Sequence, residues 1–238
     1  MSARTILCLH GFGVRGYFWE IMEPHLSEFY ERVLTPDLRM DTIETVLESG
    51  RHLAAEAARE DGRAIAVLGH SLGGVVAALT ARDLGSDVVE RAVLLAPPFG
   101  EQAKVPGKLV RFLLEHKLIP DFVTRPQFFT NHTPTHIQKS MFKRAVDETP
   151  ALQSLLFKKR RFHTDLFDAP LSVPSLVVAS EADKIVPAAE SKAFAERLGA
   201  TLTVYDAPWN IGHDDLTCAP AVASELAERI RRFAQTNT

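Results

Sequence analysis

Ala64-Ile65-Ala66-Val67-Leu68-Gly69-His70-Ser71-Leu72-Gly73-Gly74 decides how this chain is read. An apolar run leads into a turn of small residues, and Val75 to Ala81 continues in a good helical register. Gly69, Ser71 and Gly73 form G-x-S-x-G. Between a strand and a helix that pattern is a nucleophile elbow, which lifts a serine hydroxyl above a sheet. A serine held in a strained turn needs neighbours without side chains, so that strand and helix can pass closely. The helix beginning at Leu72 would aim its free N–H groups and positive dipole end at the reacting centre.

Outward from this stretch the chain alternates. Thr5 to Leu9 is a short apolar run closed by His10-Gly11-Phe12-Gly13, and Arg32 to Thr35 is a second strand closed by Pro36-Asp37. Between them Gly16 to Phe29 carries Phe18, Trp19, Met22, Leu26 and Phe29 at helical spacing. Asp41-Thr42-Ile43-Glu44 has capping-box spacing and opens a helix to about Glu60. Val89 to Leu95, Pro174 to Val178 and Thr201 to Tyr205 read as further strands, with helices over 188–198 and 220–233. Continuous apolar runs separated by helices predict right-handed βαβ units and a parallel sheet covered on both faces.

The rhythm stops from Phe99 to Asp168, where prolines separate helical stretches. This segment holds nine of the fourteen Phe and twelve Lys+Arg against seven Asp+Glu, in a chain whose net charge is −3. A Phe-rich helical insertion is a candidate lid over an apolar pocket, with Phe128, Phe129 and Phe142 as candidate substrate contacts. The expected division is a core of 1–98 and 169–238 with a helical cap at 99–168.

A serine nucleophile needs a base, and the base needs an acid to fix its tautomer. In a parallel sheet these come from loops at the carboxyl ends of strands. Of nine histidines, His213 lies in the loop after the last strand, and Asp183 follows strand 174–178. Ser71, Asp183 and His213 therefore stand in the order Ser…Asp…His. Glu181 is the competing acid; Asp214 and Asp215 read as helix-start or loop acids too close to His213. His70 reads as structural or pocket-lining, and His10 as a brace of its own loop. Backbone N–H groups of Leu72 and Phe12 are the expected oxyanion donors, with Gly11 and Gly13 allowing close approach.

These pieces together resemble the α/β-hydrolase superfamily: His10-Gly11-Phe12-Gly13 with Trp19, Gly69 to Gly74, Asp183-Lys184-Ile185-Val186-Pro187, and Gly212-His213-Asp214. The resemblance implies an α/β-hydrolase fold, a cap at 99–168 and a substrate held between cap and core; Gly11 and His70, by their positions, are candidate substrate contacts. A serine at 71 argues against dehalogenase or epoxide hydrolase chemistry, whose relatives use aspartate there. The superfamily's first antiparallel hairpin has no counterpart before Thr5, so a trimmed sheet of about six strands is expected. Its exposed edge would be covered by a helix or by a second subunit in a homodimer.

The expected activity is a serine hydrolase acting on an ester with an apolar acyl or aromatic part, without metal or organic cofactor. A thioesterase, a C–C bond hydrolase, an acyltransferase and a low-turnover ligand-binding homologue share the same residues. The charge of −3 argues against a nucleic-acid partner, and no apolar run is long enough for integral membrane association. Met1 to Arg4 has no signal-peptide layout, and Cys8 and Cys218 read as distant, reduced, buried thiols, so a cytoplasmic location is expected.

Overall fold

The computed structural model describes residues 3–99, 120–156 and 166–236. Six strands form one sheet: β1 (Thr5–Leu9), β2 (Arg32–Leu34), β3 (Ile65–His70), β4 (Val89–Leu95), β5 (Ser175–Ser180) and β6 (Thr201–Tyr205). They lie in the order β2-β1-β3-β4-β5-β6, every pair parallel. β1 shows how the sheet divides its residues. Leu7 and Leu9 enter the hydrophobic cluster on one face, and Ile6 and Cys8 enter the cluster on the other. Both faces are therefore apolar, which is why the strands read as continuous runs.

On the Leu7 face lie α2 (Ile43–Asp61), α3 (Leu72–Leu84) and α7 (Ala188–Leu198). α3 is buried at every residue from Leu72 to Ala81, so it is apolar all round. On the Ile6 face lie α1 (Glu23–Leu26), α8 (Asp215–Cys218) and α9 (Pro220–Thr236). α9 buries Val222, Ala223, Leu226, Ala227, Ile230 and Phe233, a stripe at helical spacing, and leaves its charged residues outside.

Two local expectations need correction. Gly16 to Phe29 is no single helix: a 3-10 turn covers Gly16–Trp19 and α1 only Glu23–Leu26. Pro24 lacks the N–H that a continuous helix would need there, but it fits the first turn of a new one. Phe18, Trp19, Met22 and Leu26 are buried all the same. The capping box of α2 is Thr42 with Thr45, each side chain bonding the other's backbone N–H, rather than Asp41 with Glu44.

After β4 the described part of the inserted segment contains α4 (Asp121–Phe128), α5 (Thr135–Arg144) and α6 (Pro150–Leu156). Its flanks join the core: Phe99 stacks on Phe194 of α7 at 4.5 Å, and Phe167 meets the same ring edge-on at 5.2 Å. His116, His163 and the basic run Lys158 to Arg161 lie outside the described residues. Cys8 and Cys218 are free and buried, and burial raises both thiols well above their ordinary range. Among the described residues no helix is long and apolar enough to cross a membrane.

The chain leaves β1 for β2 on one side and then returns to place β3 on the other. The loops after β1 and β3 thus part in opposite directions at their carboxyl ends. In parallel sheets such a crevice is where ligands bind.

Candidate active site

Ser71 sits at that crevice with φ +54° and ψ −123°, an unusual backbone for any side-chain-bearing residue. Strain of this kind costs about 1–3 kcal/mol and persists only where the surroundings enforce it. Here the Ser71 N–H donates to Leu95 O at 2.8 Å, and Gly74 N–H donates to Ser71 O at 2.9 Å. The flanking glycines are required by close approaches of α3, at Gly69 to β3 and at Gly73 to the end of β1. A Cβ on Gly69 would lie 2.1 Å from Gly73 O, and one on Gly73 would lie 2.1 Å from Leu9 O. Gly11 approaches from the neighbouring loop, where a Cβ would stand 3.1 Å from both Ser71 Cβ and His70 O.

Asp183 and His213, chosen from two separate loops, meet. His213 Nδ1 lies 2.7 Å from Asp183 Oδ2, with both side chains almost fully buried. The other carboxylate oxygen, Oδ1, accepts backbone N–H groups of Ile185 (2.8 Å) and Val186 (2.9 Å). That turn fixes the carboxylate independently of the histidine. An acceptor on Nδ1 leaves Nε2 as the basic nitrogen.

His70 lies on the other side of His213. Its ring centroid is 4.6 Å from that of His213 and 4.8 Å from Phe18, and its Nε2 is 3.0 Å from His213 O. Burial lowers the His70 pKa well below the ordinary histidine value, so the ring is neutral and donates that bond. The side chain preceding Ser71 therefore braces the backbone that carries His213. His70, His213 and Asp214 also bring ligand-type atoms within 4.8 Å of one another. Two of the four ring nitrogens in this group already have the partners just described.

His10 braces its own loop. Nδ1 donates to Gly11 O (2.9 Å), and Nε2 accepts from Leu38 N–H (2.9 Å). Burial pushes its pKa down to about 4, which keeps the ring neutral and both bonds intact. Phe12, partly buried against the core, follows directly. Glu181 is elsewhere, exposed and paired with Lys192 at 3.2 Å, so it does not compete with Asp183 for His213.

The aromatic residues of the inserted segment divide. Phe128 meets Phe142 edge-on at 5.9 Å and stands 6.5 Å from the His213 ring; Phe129 lies 6.1 Å from Phe142 and is buried. Phe122 points outward, 69% exposed. His132 is exposed, with Nε2 at 2.7 Å from Trp209 O; His136 is exposed as well.

Two carboxylates beside this site have partners that the sequence did not signal: Asp215, read as a helix-start or loop acid, and Glu148, which was not singled out. Asp215, fully buried, accepts from Gly212 N–H, from Thr130 N–H and hydroxyl, and from the Thr133 hydroxyl. Glu148, also buried, accepts from Gly13 N–H at 3.0 Å and pairs with Arg15 at 2.6 Å. Both pairings join residues far apart in the chain, so no local spacing signals them. Asp214, beside His213, has its carboxyl pushed up to about 7, chiefly by burial.

Sequence and structural relatives place the fold in a known family. The chain belongs to the alpha/beta hydrolase family, whose model matches residues 6–225. Among solved structures, an esterase from Rhodococcus sp. ECU1013 is 18% identical with a TM-score of 0.76, covering 99% of this chain and 92% of that one. A thermophilic esterase from Thermogutta terrifontis, crystallised with malate bound, is 20% identical with a TM-score of 0.71, covering 100% and 92%. A bromoperoxidase from Bacillus anthracis is 17% identical with a TM-score of 0.74, covering 98% and 92%. No curated protein matches the chain.

Proposed function

We propose that this chain is a serine hydrolase cleaving a carboxylic ester with an apolar acyl or aromatic part. The observation that carries the reading is the buried His213, held by Asp183 at 2.7 Å, with its ring 4.6 Å from that of the residue preceding Ser71. In this reading Ser71 Oγ attacks the acyl carbon and gives its proton to His213 Nε2. Asp183 keeps His213 in the required tautomer and stabilises the imidazolium. Backbone N–H groups of Phe12 and Leu72 hold the oxyanion, a contribution of about 3–4 kcal/mol per donor in comparable sites. His213 then protonates the leaving alcohol, the acyl-enzyme forms, and water activated by His213 releases the acid. The inserted segment serves as the cap, with Phe128, Phe129 and Phe142 on the acyl side. This chemistry calls for no metal and no organic cofactor.

Intact mass after treatment with a fluorophosphonate, on wild type and Ser71→Ala, tests the nucleophile without any guess about substrate. One adduct on wild type and none on Ser71→Ala is expected. Matched ester, thioester and diketone substrates then test the bond cleaved, with the ester expected to give the highest kcat/KM. An unlabelled, folded wild type would overturn the reading and favour a ligand-binding role for the same pocket.

A further inference from the structure

The loop that supplies Phe12 is anchored on both sides. Before it, Gly11 is held through its carbonyl by the His10 ring. After it, both peptide groups of Gly13 are taken by residues of the inserted segment: Gly13 N–H donates to Glu148 Oε1 at 3.0 Å, and Val146 N–H donates to Gly13 O at 2.9 Å. Gly13 has φ +76°, a conformation glycine reaches without steric cost. The first anchor belongs to the sheet core and the second does not.

Glu148 suits a fixed anchor better than a surface contact. Its side chain is 1% exposed, and Arg15, two residues beyond Gly13, neutralises it through two bonds, 2.6 Å to Oε1 and 3.2 Å to Oε2. A buried carboxylate with a planar two-point partner has one geometry, unlike the loose pairs of a protein surface. The surrounding segment is tied down as well. Tyr17 hydroxyl donates to Arg144 O (2.8 Å), and the Arg144 guanidinium lies 3.9 Å from the centre of the Tyr17 ring. Arg144 also pairs with Glu20 at 2.6 Å.

We propose that Glu148 is a positioning residue for acyl transfer. Seated on the core, it sets Gly13 and thereby the Phe12 N–H one residue away, so the oxyanion donors are aligned only when the segment carrying Glu148 is docked. This rests on the serine-hydrolase reading above. Its distinguishing consequence is that losing Glu148 lowers turnover rather than substrate binding, because the aligned donor is used chiefly in the transition state.

The test compares wild type with Glu148→Ala, Glu148→Gln and Val146→Pro on one small ester, with rates divided by sites titrated with a fluorophosphonate. Glu148→Ala is expected to lower kcat about 10- to 100-fold with KM little changed, as for a donor moved from its place. Glu148→Gln keeps an oxygen for Gly13 N–H and is expected to recover most of that loss. A contribution of the ion pair to stability alone would instead leave Gln as impaired as Ala. Val146→Pro removes the other bond to Gly13 while sparing Glu148, and is expected to lower kcat in the same sense; it decides alone if the alanine variant does not fold. A kcat per titrated site within about twofold of wild type in the folded variants would overturn the role of Glu148. A wild type that takes no adduct would remove the serine-hydrolase reading and this inference with it.

Discussion

Asp215 and Thr130 are joined twice: Asp215 Oδ2 accepts both the Thr130 backbone N–H at 3.0 Å and its hydroxyl at 2.6 Å. The same oxygen takes Gly212 N–H at 2.8 Å, and Oδ1 takes the Thr133 hydroxyl at 2.6 Å. One buried carboxylate thus binds the turn between α4 and α5 to the loop that presents His213. Asp214 N–H adds a bond to Phe128 O at 3.0 Å. The segment carrying Phe128 and the loop carrying His213 are therefore joined directly to one another.

Asp215→Ala would leave four donors without their acceptor, those of Gly212 and Thr133 buried and the two of Thr130 partly buried. Each hydrogen bond to a charged group contributes about 1.5–3 kcal/mol, so a loss of about 3 kcal/mol or more in unfolding free energy is expected. Urea unfolding of wild type and variant measures it. A loss below about 1 kcal/mol would mean that water replaces the carboxylate at little cost.

Asp183→Asn places an amide where three donors converge: His213 Nδ1–H and the N–H groups of Ile185 and Val186. An asparagine NH2 must face one of them, so either the turn or the histidine tautomer is lost. On the proposed mechanism kcat is expected to fall about 10⁴-fold at neutral pH. Steady-state kinetics on an ester decides it, and a fall of less than about tenfold would exclude Asp183 as the partner that orients the base.

Asp214 makes stability depend on pH in an unusual direction. Its folded carboxyl titrates at about 7, whereas an unfolded aspartate titrates near 4. Between those values the folded chain binds more protons, so this group's contribution is full below about pH 4 and is lost as pH rises towards 7. Asp214→Asn removes that slope. Urea midpoints from about pH 5 to 7.5 are expected to fall in wild type relative to the variant, and parallel curves would contradict the assignment.

His10 acts in the opposite sense. It titrates at about 4 in the fold against about 6.5 unfolded, so the unfolded chain takes up the proton first. The stability it confers is full above about pH 6.5 and is lost as pH falls towards 4. His10→Gln cannot be charged, and its amide has both a donor and an acceptor for Gly11 O and Leu38 N–H. Thermal midpoints of wild type are expected to fall relative to His10→Gln across that window. His70 shifts in the same direction, which is why the difference between the two proteins is the quantity to follow.

The central strands β1, β3 and β5 were legible in the sequence because each is a largely apolar, fully buried run. Val93 and Val177 are buried on opposite faces of the sheet, so strands of this kind need no alternation to be recognised. The meeting of Asp183 with His213 and the strained turn at Ser71 were legible because parallel strands deliver their loops to one edge, which narrows the choice of partners. Local reading failed where two patterns overlapped, as at Asp41 and Thr42. It also failed where the deciding contact was distant. Arg15 reaches Glu148 across 133 positions, and Thr130 reaches Asp215 across 85. Nothing near either acid distinguishes it from a solvated surface charge, because its burial is created by the other half of the pair.

All six strands being parallel bears on how the molecule assembles. No neighbouring strands can zip together from a tight turn, and β1 meets β3, as Ile6 beside Ala66, only after β2 and α2 have been threaded between them. Gly11 and Ser71 therefore face one another only once that long-range closure is complete. Chains dominated by such distant pairings fold in milliseconds to seconds rather than microseconds. The crevice shared by Gly11 and Ser71 is thus a product of distant pairing, and no fragment that lacks either β1 or β3 can form it.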